Sequence, residues 1–445
     1  VALYIAIVAR TKKNPTMKNL IFFVFLIVII FSCKQEQRDP AIFYYPAEWE
    51  PQEAILLGWA EREPEFFPLA ADVARALEGS TSVIFVSDTS ENPMVFKEYL
   101  LEQGLDTAKF TFLSVPIRQS LALRDIGPVY LVNGLGVKKV VDFRWSYQDF
   151  FKRFLIEKGI DADKAKSDAS FFDRNQKTDS LLAVKDGLEV ITSDLNLDGG
   201  ALEVNGKGSI LLNEEWMFMV NPASTKESME QELQRTLGVH HFIWVGKGLV
   251  EDGDISKIII PGYIASGTGG HTDEYIRFAN PNTILLAWVD EEEKDLHPIH
   301  AENHNRMQET YEILKKAKDQ DGKPFTIIKV PLPDLRYRPN VVVEGWAMSD
   351  STIGKEYFAP DQGVQVGDTL QYLSSSSYLN FLISNDKVLL PTYLHVGSSP
   401  EKEERVKEIF STLYPDKTLV WIDAIEYNWG GGGLHCYTKQ VPKVN

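Results

Sequence analysis

A cysteine follows a run of four glycines in Gly430-Gly431-Gly432-Gly433-Leu434-His435-Cys436. Such a loop lets a ligand approach the backbone and leaves a side chain at the edge of the next element accessible. The thiolate is the nucleophilic form, and a cysteine with an ordinary pKa of about 8.5 needs an electropositive setting to reach it. A buried, inert cysteine is the plain alternative. His435 is adjacent, but in an extended strand it would point away from Cys436, so another histidine is expected as its proton partner. Gly269-Gly270-His271-Thr272-Asp273-Glu274 supplies one. In extended backbone His271 and Asp273 face the same side, an imidazole beside a carboxylate, which suits a general acid/base next to a charge-binding anchor. Arg124-Asp125-Ile126-Gly127-Pro128 sets an ion pair before a β run, where a surface salt bridge of little energetic weight is the simpler reading. Asp198-Gly199-Gly200 puts a further carboxylate on a glycine turn. No thiolate cluster is present to complete a zinc shell around His271, so no metal is expected there, and attack by sulfur needs no organic cofactor. One thiol, one imidazole and several carboxylates together suit a flat cation attacked by sulfur.

The elements that must position these groups alternate in type. Strand-like runs are expected at Ala54–Trp59, Ser82–Ser87, Lys109–Val115, Pro128–Val132, Gly208–Leu212, Ile258–Ile260, Thr283–Trp288, Thr326–Val330, Tyr378–Ile383, Lys387–Leu390 and Leu419–Ile422. Amphipathic helical patterns fall at Pro68–Leu77, Pro93–Gln103, Ser146–Lys158, Ser228–Leu237, His300–Ala317 and Glu401–Leu413. This strand–helix–strand rhythm predicts an α/β fold. Asp161 to Ser180 and Met348 to Leu370 read as insertions, and Ser374–Ser377 as a turn.

The 445 residues are 44% hydrophobic and 24% charged, a globular composition that excludes a disordered or collagen-like chain. The net charge of −17 repels nucleic acid and favours cationic ligands. With only two cysteines, Cys33 and Cys436, a disulfide-stapled scaffold is excluded. Lys18 precedes an apolar run from Leu20 to Phe31, too short to span a bilayer of about 30 Å but suited to an export signal. Ile30-Phe31-Ser32-Cys33 resembles a bacterial lipobox, which makes Cys33 the expected lipidation site. The expected organisation is 1–16 upstream of a start at Met17, 17–32 a lipoprotein signal, 33–41 a tether and 42–442 the catalytic domain. Residues 1–32 carry four basic residues and no acidic ones, so membrane attachment would rest on acyl chains rather than a basic patch. The expected location is that of an exported, membrane-anchored lipoprotein.

Six segments together resemble the agmatine deiminase and Porphyromonas-type peptidylarginine deiminase family of guanidine-modifying enzymes. They are Tyr45 to Ala54, Arg124 to Pro128, Asp198 to Gly200 with Glu203 to Gly208, His271 to Glu274, Ser377 to Phe381, and Gly430 to Cys436. The resemblance spans nearly all of 42–442 and implies a five-module, pseudo-symmetric α/β propeller of the pentein type, a single catalytic domain with its site at the centre. It implies Cys436 as nucleophile, His271 as general acid/base, and Asp125 and Asp273 as guanidinium ligands. Asn380 would shape the pocket near the sulfur. Asp198, Arg124 and Trp49 would complete the substrate-binding set, although Trp49 and Glu50 also read as first-strand packing and rim residues. The implied reaction is hydrolytic deimination of agmatine to N-carbamoylputrescine, or of peptidyl-arginine to citrulline. Two features depart from agmatine enzymes: Asp198 stands where they carry Glu, and Phe143-Arg144-Trp145-Ser146-Tyr147 lacks their Asn/Trp/Gly pattern. A lipid-anchored guanidine-binding protein without turnover and an amidine transferase of the same fold are the competing readings.

Overall fold

The computed structural model describes residues 39–118, 121–170 and 173–444. The leader, Met17 and Cys33 lie outside the described residues. From Phe43 onward the chain forms one compact unit.

One strand order recurs five times among the described residues: a first strand antiparallel to a second, and the second parallel to a third reached through helix. Thr438–Pro442, Gln52–Gly58 and Ser82–Asp88 form the first such sheet, extended by Thr111–Val115. Val129–Val132, Lys138–Arg144 and Glu189–Asn196 form the second. Glu203–Val204, Ser209–Asn213 and His241–Val245 form the third. Ile276–Asn280, Thr283–Trp288 and Thr326–Pro331 form the fourth. Leu382–Ser384, Lys387–Pro391 and Thr418–Ile422 form the fifth. A parallel pair cannot be joined by a tight turn, which is why a helix intervenes each time.

Local sequence explains the crossover helices. Pro93–Glu102 starts on Pro93, with the Asn92 side chain accepting from the Met94 amide at 3.1 Å. Lys226–Leu237 opens on a Thr225–Ser228 capping box and stops at Gly238, whose φ of 68° is left-handed. Pro298–Leu314 and Pro400–Leu413 likewise begin on proline. The central strands are covered on both faces: every residue of Thr283–Trp288 is buried.

Some expectations change. Ile258–Ile260 forms bends rather than a strand, and Tyr378–Phe381 is a turn leading into the short strand Leu382–Ser384. The Asp161–Ser180 insertion is helical, with Ala162–Ala169 and the start of Thr178–Lys185. Met348 to Leu370 belongs to a sixth sheet built from Tyr263–Ala265, Thr369–Leu373, Tyr337–Val343 and Thr352–Gly354. No helix among the described residues is long and apolar enough to cross a membrane.

Candidate active site

Each of the five repeated sheets is entered through a short loop or helical turn that carries a polar residue just ahead of its first strand. Asp125 precedes Val129, Asp198 precedes Glu203, Asp273 precedes Ile276, Asn380 precedes Leu382 and Cys436 precedes Thr438. These five side chains, with His271, are drawn into one buried cluster.

The thiol sits on a helical turn, Leu434–Tyr437, with Gly433 as its N-cap. This corrects the expectation of a strand: His435 and Cys436 are not on opposite faces, because both reach the same carboxylate oxygen. Asp273 Oδ2 lies 3.4 Å from Cys436 Sγ and 2.8 Å from His435 Nδ1. Asn380 Nδ2 donates to the sulfur at 3.2 Å and to Glu274 Oε1 at 2.8 Å, while its Oδ1 accepts from the His435 and Cys436 amides at 2.6 and 3.3 Å. Asn380 therefore holds the turn as well as the thiol. Three of the four glycines are required by contact, Gly432 because a side chain there would meet the Tyr427 ring. Gly431 has φ of 85° against the Ser266 carbonyl, and a side chain at Gly433 would collide with Asn380.

His271 and Asp273 lie on a single 3-10 turn, Thr272–Glu274 with His271 as N-cap, not on extended backbone as expected. They diverge accordingly. Asp273 turns to Cys436, whereas His271 Nδ1 faces Asp125 at 3.6 Å and Nε2 faces Asp198 at 3.3 Å. The Trp216 ring closes the far side edge-on, 4.9 Å between centroids. Asp252 pins this loop by accepting from the amides of Thr268, Gly270 and His271 at 2.6, 3.0 and 3.1 Å. All three chemical groups converge on one glycine. A Cβ on Gly200 would stand 2.7 Å from His271 Nδ1, 2.9 Å from Asp125 Oδ1 and 3.0 Å from Asp273 Oδ2. Among the described residues, Asp273 Oδ1 is buried without a hydrogen-bond partner, and the imidazole nitrogens meet Asp125 and Asp198 only at ion-pair distance.

Two expected substrate residues sit elsewhere. Arg124 is 3% exposed and turns away from its neighbour Asp125, donating from Nε to the His435 carbonyl at 3.2 Å. It braces the cysteine turn from behind, and a cation there has no part in holding another cation. Trp49 packs against the large apolar core formed by residues such as Phe278, Phe381 and Phe410, because its indole is better buried than presented at a rim. Glu50 accepts from the Tyr44 hydroxyl and the Ala47 amide. Asp198 does reach the cluster, but both its oxygens also accept from Ser146, from N at 2.9 Å and Oγ at 2.5 Å.

Sequence reasoning missed the layer beneath. Arg277, fully buried, donates from Nε to Glu203 at 2.7 Å, from Nη1 to the Leu379 and Phe381 carbonyls, and from Nη2 to Glu48. Glu48 Oε2 also meets His435 Nε2 at 2.8 Å. An arginine inside the buried strand Ile276–Asn280 was the available signal, since a charge there must be paired.

Burial, then the carboxylates of Asp273, Glu274 and Asp125, push the Cys436 thiol well above its usual pKa. Burial raises Asp125 to about 7 against the pull of His271. Burial alone would lower His271, but Asp125 and then Asp198 lift it to about 10, so it is an imidazolium at neutral pH. Asp273 goes the other way: burial opposes its charge, but the His435 hydrogen bond and charge hold it below the ordinary carboxylate range. His435 is pulled down by burial, then by Arg124 and Arg277, against the two carboxylates that face its nitrogens. Asp273, Glu274 and Cys436 bring ligand atoms within 4.8 Å of one another, so an ion set there would occupy the thiol.

A buried thiol, an imidazole and carboxylates, carried on five like loops, share one site on a mixed α/β fold. The chain belongs to the Porphyromonas-type peptidyl-arginine deiminase family, which it matches over residues 44–442. Members are hydrolases of C–N bonds in linear amidines. A protein of Photobacterium profundum, provisionally named agmatine deiminase, is 28% identical over 90% of this chain and 96% of its own length. A solved agmatine deiminase of Enterococcus faecalis superposes with a TM-score of 0.66 at 22% identity, covering 90% of this chain and 96% of that one. A variant of the C. jejuni agmatine deiminase, solved with substrate bound, superposes with a TM-score of 0.63 at 18% identity, over 91% and 97% of the two chains.

Proposed function

We propose that this protein hydrolyses a terminal guanidinium to a ureido group and ammonia through Cys436, on either agmatine or an arginine residue of a peptide. The observation that carries the reading is the convergence at Gly200, where His271, Asp125 and Asp273 meet and Asp273 in turn touches the sulfur. A guanidinium carbon is a poor electrophile because its charge is delocalised. Carboxylates fix its plane through paired hydrogen bonds, so that sulfur meets the carbon face-on. Asp125 and Asp273 supply that clamp. The substrate's own charge offsets the carboxylates that hold the thiol protonated, so binding generates the thiolate.

Cys436 then forms an S–C bond, and collapse of the tetrahedral adduct breaks a C–N bond. His271 gives its proton to the departing nitrogen, leaving ammonia and a covalent S-alkylthiouronium. The now neutral His271 takes a proton from water, the hydroxide adds to the same carbon, and the C–S bond breaks to release the ureido product and the thiol. Transfer to an amine acceptor would need that amine in place of water, and binding without turnover would have no use for a buried thiol against Asp273. The test is mass spectrometry with ammonia detection after incubation with agmatine, free arginine and an arginine-containing peptide. One substrate should exchange an imino group for oxygen, and Cys436→Ala should abolish the exchange. Inertness toward all three would end this reading.

We further propose that the chain is exported and lipid-anchored at Cys33. The apolar run Leu20 to Phe31 followed by Ser32-Cys33 supports this. Labelling with a radioactive fatty acid in a bacterial host should mark the full chain and not Cys33→Ser. Equal labelling of both would refute it.

A further inference from the structure

Behind the cysteine turn lies a second cavity, separated from the thiol by His435, whose Nδ1 faces Asp273 and whose Nε2 faces Glu48. Arg124, Lys439, Glu48, Glu203, Glu50 and His435 supply its charged and imidazole lining, beside the phenols of Tyr45 and Tyr130. Its volume is about 40 Å³, where one water needs roughly 10–15 Å³. That is room for a halide or a small oxyanion.

The lining charges are unequally matched. Glu48 is held by Arg277 and His435, Glu203 by Arg277 and the Phe278 amide, and Glu50 by Tyr44 and Ala47. Among the described residues the two cations lack such partners. Arg124 Nη2 is buried with none, and Lys439, 1% exposed, has only the Arg124 carbonyl at 3.2 Å. Burial, and after it the Arg124 charge, bring the Lys439 ammonium down to about 7, the mark of two cations crowded in a dry place. Gln440 also lines the cavity and has an unpartnered Nε2, and Gln52 carries an unpartnered Oε1. A further cation would add to the repulsion, whereas an anion relieves it and gives Arg124 the acceptor it lacks.

We propose that this cavity is a binding site for one small monovalent anion, a halide or a small carboxylate, held between Arg124 and Lys439. Because Arg124 also carries the His435 carbonyl, a bound anion would stiffen the turn that bears Cys436. The proposal goes beyond the hydrolytic reading, and its test needs no turnover.

The full chain, exchanged into potassium gluconate, is titrated with potassium chloride or potassium formate at constant ionic strength while thermal unfolding is followed. Sulfate serves as the control for size and charge. A saturable rise of roughly 2–4 °C with chloride or formate is expected for a site filled well above its dissociation constant. The rise should be lost in Lys439→Met and in Arg124→Gln. Crystals of the parent soaked in bromide should show an anomalous peak between the two cationic groups, which decides the matter should either variant fail to fold. No saturable shift in the parent, an undiminished shift in folded Lys439→Met, or bromide absent from the cavity would overturn the site.

Discussion

Cys436 Sγ lies 3.4 Å from Asp273 Oδ2, so the nucleophile rests against an anion rather than a cation. Most activated cysteines are lowered in pKa by positive neighbours. Here burial and three carboxylates do the opposite, and the positive charge must arrive with the substrate.

The free thiol should therefore titrate above its ordinary range. In a Cys33→Ser background, thiolate absorbance near 240 nm should stay low through pH 8 and rise only under more alkaline conditions. Adding guanidinium at pH 8 should increase it, and alanine at 436 should remove the signal. A thiolate already present at pH 7 without ligand would contradict this account.

Gly200→Ala should abolish turnover while leaving the fold intact, since its methyl would occupy the point where His271, Asp125 and Asp273 meet. The expected loss is at least about 10²-fold in kcat/KM, in line with displacement of reacting groups by an ångström. Circular dichroism and the urea midpoint distinguish this from unfolding. Retained activity would place the substrate elsewhere.

His271 and Asp125 should both favour the folded state more at low pH than at high pH. His271 titrates near 6.5 unfolded and at about 10 folded, so its contribution is complete below 6.5 and is lost as pH climbs through 10. Asp125 shifts from 3.8 to about 7, so it too is penalised as pH rises from about 4 toward 7. Lys439, brought down from 10.5 to about 7, works in the opposite sense above pH 7, so the sign is read from the difference between the parent and His271→Gln. The parent's advantage in urea midpoint should shrink from pH 6 to 8 to 10, and a constant or growing advantage would show that His271 is not held as described.

Arg277→Met should cost about 3–5 kcal/mol, because it leaves Glu48 and Glu203 facing one another without their cation. Denaturant unfolding measures it. Adding Glu203→Gln to that variant should restore part of the loss, and strict additivity would argue against coupling.

The crossover helices were legible because their signals are local: proline or a capping side chain at the start and an apolar face beyond it. Pro93, Pro298 and Pro400 mark three of them. The first strands of the repeats were harder, since Glu203–Val204 and Leu382–Ser384 are too short to show alternation. Cys436, His271 and Asp125 stood out beside glycine or proline turns. Arg124 and Trp49 were misplaced because sequence order says nothing of which way a side chain leaves a short turn. Glu48 and Arg277 are isolated charges 229 positions apart, and Asp252 sits among other acids with its partners 16 to 19 positions on. Only the folded arrangement reveals them.

Thr438–Pro442 completes the sheet begun by Gln52–Gly58, and Tyr437 reaches back 379 positions to the Gly58 carbonyl. Synthesis must therefore run from Gly58 past Tyr437 before the opening sheet gains its outer edge. The turn that carries the sulfur runs directly into that closing strand. Placing the thiol and closing the sheet are thus joined, late events on the ribosome.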